Sequence, residues 1–189
     1  MKQNVLKICV TAAGIALFVV LSLCLQVPVF ENYYLCLGYV AMAVWCFSFG
    51  TVPGTIVGVL GTVLYCVVIS GLRGMPGWAL GNIVIGLALG LTFHRTENLK
   101  NSRLRAVLYG AAVIGSVTIG ILGVKSLTES LLYGQPLLLR IGKNFYAWAA
   151  DIFVLLVSLP LCVKLDPLIR KSFPELVRRH RTASWDKVE

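Results

Sequence analysis

Long stretches of this chain contain no acid and no base. No Asp, Glu, Lys, Arg or His occurs between Ile8 and Phe30, between Asn32 and Leu72, between Gly74 and Phe93, or between Ala106 and Val124. A bilayer core about 30 Å thick is crossed by roughly 20 helical residues. The second stretch is therefore long enough for two crossings and each of the others for one. A fifth apolar run, Phe145–Val163, holds a single acid, Asp151. Only 13% of the 189 residues are charged, too few to cover a water-soluble surface, so the solvent is largely lipid. A transmembrane β-barrel would need alternating apolar and polar residues in segments of about ten, and the sequence has no such pattern. The expectation is an all-α integral membrane protein, a compact bundle of six transmembrane helices near residues 7–27, 36–49, 52–72, 78–93, 104–124 and 145–163. Residues 1–168 form the membrane domain, and 169–189 a basic cytoplasmic tail.

Basic residues set the orientation. With the N-terminus in the cytoplasm, thirteen of the 17 Lys and Arg fall inside: Lys2, Lys7, Arg95, Lys100, Arg103, Arg105, Lys164 and the cluster from Arg170 to Lys187. Four fall outside: Arg73, Lys125, Arg140 and Lys143. Both termini are thus expected to be cytoplasmic. The net charge of +9 belongs mainly to the inner face, where it suits anionic lipid. The charges flank spans and no nucleic-acid module is present, so nucleic acid is not an expected partner. Leu23 precedes Cys24 where a lipoprotein cleavage site wants a small residue, and the N-terminal run is kept as the first span. The six cysteines lack the spacing of a zinc site or a disulfide framework and read as small apolar packing residues.

Enzyme motifs are missing. There is no H-E-x-x-H, no G-x-S-x-G and no carboxylate pair within a span. The Ile141–Lys143 "IGK" lacks the preceding glycine spacing of a phosphate loop. No catalytic residue, metal or cofactor is expected. The chain has no visible means of hydrolysing ATP, so active transport would draw its energy from a partner or an ion gradient.

The remaining polar and aromatic residues gather toward the outer helix ends. Asn144, Trp148 and Asp151 are spaced i, i+4, i+7 and share one helical face. Trp78 and Asn82 are spaced i, i+4. An acid at the centre of a spanning helix costs about 2.5–3.5 kcal/mol on insertion scales, so Asp151 is expected to face a cavity or a partner. With Arg73, Lys143 and Tyr34 of the Glu31–Tyr34 loop, these residues form a candidate pocket for a small planar ligand, aromatic rings stacking and amides orienting. Other roles fit the same residues: an interfacial aromatic belt, pairing of Asp151 with Lys143 or Arg140, and interhelical hydrogen bonds from the two amides. The Leu-rich outer segment Lys125–Asn144 reads as a lid or a short interfacial helix. Glycines at four-residue spacing (Gly50, Gly54 and Gly58; Gly77 and Gly81; Gly86 and Gly90) read as close helix packing.

Four segments carry a resemblance: "TAAGIALF" (Thr11–Phe18), "FSFGTVPGTIVGVLGT" (Phe47–Thr62), "GWALGNIVIGLALGL" (Gly77–Leu91) and "SLPLCVKLDPLIRK" (Ser158–Lys171). Over roughly Val5–Leu168 the chain resembles the substrate-binding S components of energy-coupling factor (ECF) vitamin transporters of bacteria. The resemblance implies a six-helix protein of the bacterial cell membrane. It would capture a vitamin or precursor of the riboflavin, pyridoxine or hydroxymethylpyrimidine type in an outward-facing pocket, and deliver it by toppling. Its partners would be a transmembrane coupling subunit and two ATP-binding cassette ATPases. The family's AxxxA motif is matched by Ala12 and Ala16, with Gly14 between them, and implies a docking face for the coupling subunit. Strict pocket signatures of the biotin and thiamine members are not matched. A ligand-free membrane scaffold of similar fold and an ion-driven small-solute carrier are the competing readings.

Overall fold

In the computed structural model the described residues are 2–24, 27–30, 33–69, 72, 74–96, 99, 101–174 and 176–177. Helix α1 (Lys2–Cys24) leads into a two-stranded antiparallel ribbon, β1 (Val27–Phe30) and β2 (Tyr33–Leu35), in which Val27 pairs with Leu35. Helices α2 (Gly38–Ser48), α3 (Thr51–Ile69) and α4 (Met75–Thr96) follow. Next comes one long rod, built from α5 (Ser102–Val117), a π-helical segment (Thr118–Lys125) and α6 (Ser126–Tyr133). Helix α7 (Leu137–Ser172) closes the chain. Five helical stretches are long and apolar enough to cross a membrane: Asn4–Cys24, Thr51–Ile69, Met75–Thr96, Arg103–Tyr133 and Leu137–Ser172. With the shorter α2 they make the expected six-helix, all-α membrane bundle.

The bundle is apolar outside and polar at selected points inside, as lipid demands. Ile56, Leu60, Leu64 and Val67 form an exposed stripe on α3, and Leu80, Ile83, Leu87 and Leu91 form one on α4. Both stripes repeat at helical spacing and face hydrocarbon. The core is built around the buried short helix α2, whose Tyr39, Met42 and Cys46 pack with Phe18, Val57, Ile85, Leu89 and Leu155. Glycines decide how closely helices approach. A Cβ on Gly86 would sit 2.6 Å from Thr55 Oγ1 of α3, and one on Gly81 only 2.7 Å from the Gly120 carbonyl oxygen of the π segment. Helix α4 therefore touches α3 on one face and the π segment on the other.

Three expectations need correction. The outer segment Lys125–Asn144 is helical nearly throughout and forms no separate lid. Helices α6 and α7 meet at a turn in which Gly134 takes φ 63°, a left-handed conformation open to glycine. Pro136 then caps the start of α7. The sixth helix consequently runs well beyond 145–163 at both ends. Tyr33 and Tyr34 lie in a strand rather than an irregular loop.

Candidate ligand site

Helix α2 presents Tyr39 and helix α4 presents Trp78 and Asn82 toward one another near one end of the bundle. Asn82 is fully buried. Its amide nitrogen donates to Thr62 Oγ1 (2.6 Å) and to the Gly58 carbonyl (3.2 Å) of α3. Its amide oxygen accepts from the Tyr39 hydroxyl (2.8 Å), and that hydroxyl accepts from Trp78 Nε1 (2.8 Å). Trp78 thus reaches α3 through a continuous chain of hydrogen bonds. In hydrocarbon, a buried amide with several satisfied partners holds helices in one register. Tyr65 meets the Trp78 ring edge-on at a centroid distance of 5.7 Å.

The acid and base of this region are also buried. Asp151 of α7 lies against the Tyr39 hydroxyl and interacts electrostatically with Lys125. The Lys125 ammonium stands 5.8 Å from the Trp78 ring centroid, a cation–π geometry. Neither Lys143 nor Arg140 is the cation beside Asp151: Lys143 is exposed, and Arg140 pairs with Glu129 at 3.4 Å.

A second polar group joins the outer parts of α6 and α7. Asn144 is 1% exposed, and its amide nitrogen donates to Ser126 Oγ (3.0 Å) and Glu129 Oε2 (3.2 Å). Its amide oxygen has no hydrogen-bond partner among the described residues. A buried acceptor left unpaired costs about 1–3 kcal/mol and marks a place where a donor is wanted. One turn along α7, Trp148 Nε1 donates to Thr118 Oγ1 (2.9 Å), and its ring stacks on Phe145 at 5.1 Å.

The π segment ties the two groups together. Ser126 Oγ donates to the Ile121 carbonyl five residues back, and the wider turn brings Thr118, Lys125 and Ser126 to the interior side of the rod. Such π segments recur at functional sites. Trp78, Asn82 and Asp151 fall in or against one hydrogen-bonded group, and Asn144 in a second, with Tyr39, Thr62, Lys125, Ser126 and Glu129 as partners that sequence reasoning did not single out. Lys125 carries a usable signal, a base directly ending a charge-free span. Tyr39 carries none, being one aromatic among many in an apolar run. Arg73, Glu31 and Asn32 lie outside the described residues, as does the side chain of Tyr34. Gly14 does not belong to a smooth outer face. It is buried, and a Cβ there would meet the Trp45 ring and Val57. Ala12 and Ala16, by contrast, are exposed.

Cavities of about 660, 420 and 140 Å3 occur among the described residues, and these are lined by other side chains. The outer-end groups are packed on one another. No group of three or more metal-ligating side chains occurs among the described residues.

Fold and site together define a multi-pass helical membrane protein with a buried cluster of amides, indoles and one acid–base pair near one end of the bundle. The model of the family "ECF-type riboflavin transporter, S component" matches residues 2–166, and the chain belongs to that family. It is accordingly a transport subunit that binds substrate, and not an enzyme. Comparison with curated proteins gives no match.

Proposed function

We propose that this chain captures riboflavin at the outer side of a bacterial cell membrane and hands it to an energising module of one transmembrane coupling subunit and two ATP-binding cassette ATPases. The riboflavin in the family's description carries the reading, and the chemistry of this end of the bundle supports it. A flavin ring is flat, tricyclic and amphipathic. Indoles such as Trp78 and Trp148 offer stacking surfaces, and base–aromatic stacking contributes about 1–3 kcal/mol per ring. The pyrimidine edge of the flavin has a ring N–H between two carbonyls, a fitting donor for the unpaired Asn144 amide oxygen. The ribityl hydroxyls suit acceptors such as the Glu129 carboxylate. Pyridoxine and hydroxymethylpyrimidine share the polar edge but are smaller and leave more of the indole surface uncovered. Entry requires Trp78 to separate from Lys125, or Asn144 from Ser126 and Glu129, because these groups now pack together.

Riboflavin fluorescence gives a direct test. Titrating the detergent-purified chain should quench flavin emission saturably, and Asn144→Leu should weaken binding about tenfold, equivalent to about 1.4 kcal/mol for one lost hydrogen bond. Saturable binding of pyridoxine with none of riboflavin would reassign the ligand. Binding of neither would favour a scaffold.

Docking on the coupling subunit is assigned to α1. Ala12 lines an apolar groove of about 660 Å3 with Thr11 and Ile15 of α1 and Ile56 and Leu60 of α3. Small exposed residues permit close helix approach in lipid. Ala12→Leu and Ala16→Leu should each abolish recovery of the coupling subunit in a pull-down while leaving riboflavin binding within about twofold. Unchanged recovery would place the docking face elsewhere. Toppling of the bundle within the membrane, with the termini on the cytoplasmic side, then exchanges the outer end between the two faces.

A further inference from the structure

The other end of the bundle, which carries Lys7, Arg95 and Arg105, holds a polar cavity that the transport reading does not use. It has a volume of about 420 Å3. Ser48, Phe93, Arg105, Asp166 and Arg170 are among its lining residues. Asp166 accepts from Arg170 Nε through Oδ2 at 2.5 Å. The Arg105 guanidinium has no ion-pair or hydrogen-bond partner among the described residues. With Asp166 offset by Arg170, Arg105 gives the cavity an excess positive charge. Two buried polar atoms in it are also unpartnered among the described residues, Ser48 Oγ and Asp166 Oδ1. The site therefore offers a cation, a hydroxyl donor and a free carboxylate acceptor.

A second, smaller cavity adjoins it. This one is about 140 Å3 and runs between α5 and α7, past Ala106, Tyr109, Leu159 and Val163. Arg105, Phe47 and Phe93 line both cavities. Ala106 and Val163 are exposed, so the apolar cavity opens on the lipid-facing side. A charged chamber joined at one arginine to an apolar slot facing hydrocarbon has the amphipathic shape of a phospholipid.

We propose that this pair of cavities is a binding site for an anionic phospholipid with a hydroxyl-bearing headgroup. The phosphate lies at Arg105 and Ser48, a headgroup hydroxyl donates to Asp166 Oδ1, and the start of an acyl chain enters the slot between α5 and α7. Basic pockets between spanning helices are known to hold anionic headgroups in this manner. A soluble phosphate shares the headgroup chemistry but makes no use of the apolar slot.

Thermal unfolding of the delipidated full chain separates these sources. Measurements would be made in detergent with added phosphatidylglycerol, phosphatidylcholine or inorganic phosphate. Phosphatidylglycerol should raise Tm by about 3 °C or more, a shift of the size expected for about 1 kcal/mol, while the other two should have little effect. Arg105→Gln should abolish the shift. Ala106→Phe, which fills the slot without altering charge, should do the same. Arg103→Gln, an exposed neighbour outside both cavities, should retain it. Equal shifts with phosphatidylcholine, a full shift with inorganic phosphate, or an undiminished shift in both Arg105→Gln and Ala106→Phe would overturn the assignment.

Discussion

Replacing Gly81 with valine should destabilise the protein by about 1–3 kcal/mol, the usual cost of overpacking a close contact, and should weaken ligand binding at least about tenfold. The two effects share one cause. A Cβ at Gly81 would stand 2.7 Å from the Gly120 carbonyl oxygen, and one at Gly120 would stand 2.8 Å from the Gly81 carbonyl oxygen. The obstacle on each side is backbone, which cannot swing aside as a side chain can. Helix α4 must move away from the π segment, carrying Trp78 and Asn82 away from Lys125. Gly115→Ala in the same rod is the control, because a Cβ there meets nothing within 4 Å. Thermal unfolding and riboflavin titration of both variants check the expectation. A Gly81→Val protein that binds normally would show that the π segment does not position the site.

The second large effect is expected at Asn82. Asn82→Leu removes three interhelical hydrogen bonds, to Tyr39, Thr62 and Gly58. At about 0.6–1.7 kcal/mol for each bond in a membrane interior, the loss is roughly 2–5 kcal/mol. It also removes the amide acceptor of the Tyr39 hydroxyl, leaving Asp151 as the acceptor beside it, and loosens the hold on Trp78. Asn82→Leu and Tyr39→Phe should be non-additive, with a coupling of about 1 kcal/mol in a double-mutant cycle, because each removes the same hydrogen bond. Ligand binding should fall in both single variants, more steeply for Asn82→Leu. Additive stabilities would mean that the amide and the phenol act separately, and the hydrogen-bond chain from α3 to Trp78 would lose its role.

The substitutions differ in how far sequence alone anticipates them. The Gly77–Gly81 spacing signals close packing but not its partner. That partner is Gly120, which lies at four-residue spacing from Ala112 and Ser116, but the pairing itself shows only in the folded rod. Asn82 stands out in sequence as an amide in an apolar span, and its burial follows from the cost of a bare amide in lipid. Its partners are 20 to 43 residues away in the chain, and no local pattern marks them. Asp151 shows the same limit. Its need for a cation follows from its depth, yet the nearby candidates Lys143 and Arg140 are not the ones beside it. Exposure removes the first and Glu129 takes the second, while the π turn brings in Lys125. Gly14 failed for a related reason. Small size on α1 was visible, but the direction it faced depended on where Trp45 and Val57 packed.

By itself the sequence determined the solvent, the helical class and the number of helices. Those follow from charge-free lengths against a bilayer of fixed thickness, a constraint that acts on each span separately. It also marked the amides, indoles and acid near these helix ends as groups that need partners in lipid, since a bare polar group there is costly. Tertiary structure decided which of those residues touch. Rotation of each helix about its axis, the approach allowed by paired glycines, and the extra residue per turn in Thr118–Lys125 set those contacts. None of these is a property of one segment, because each depends on the surface that the neighbouring helix presents.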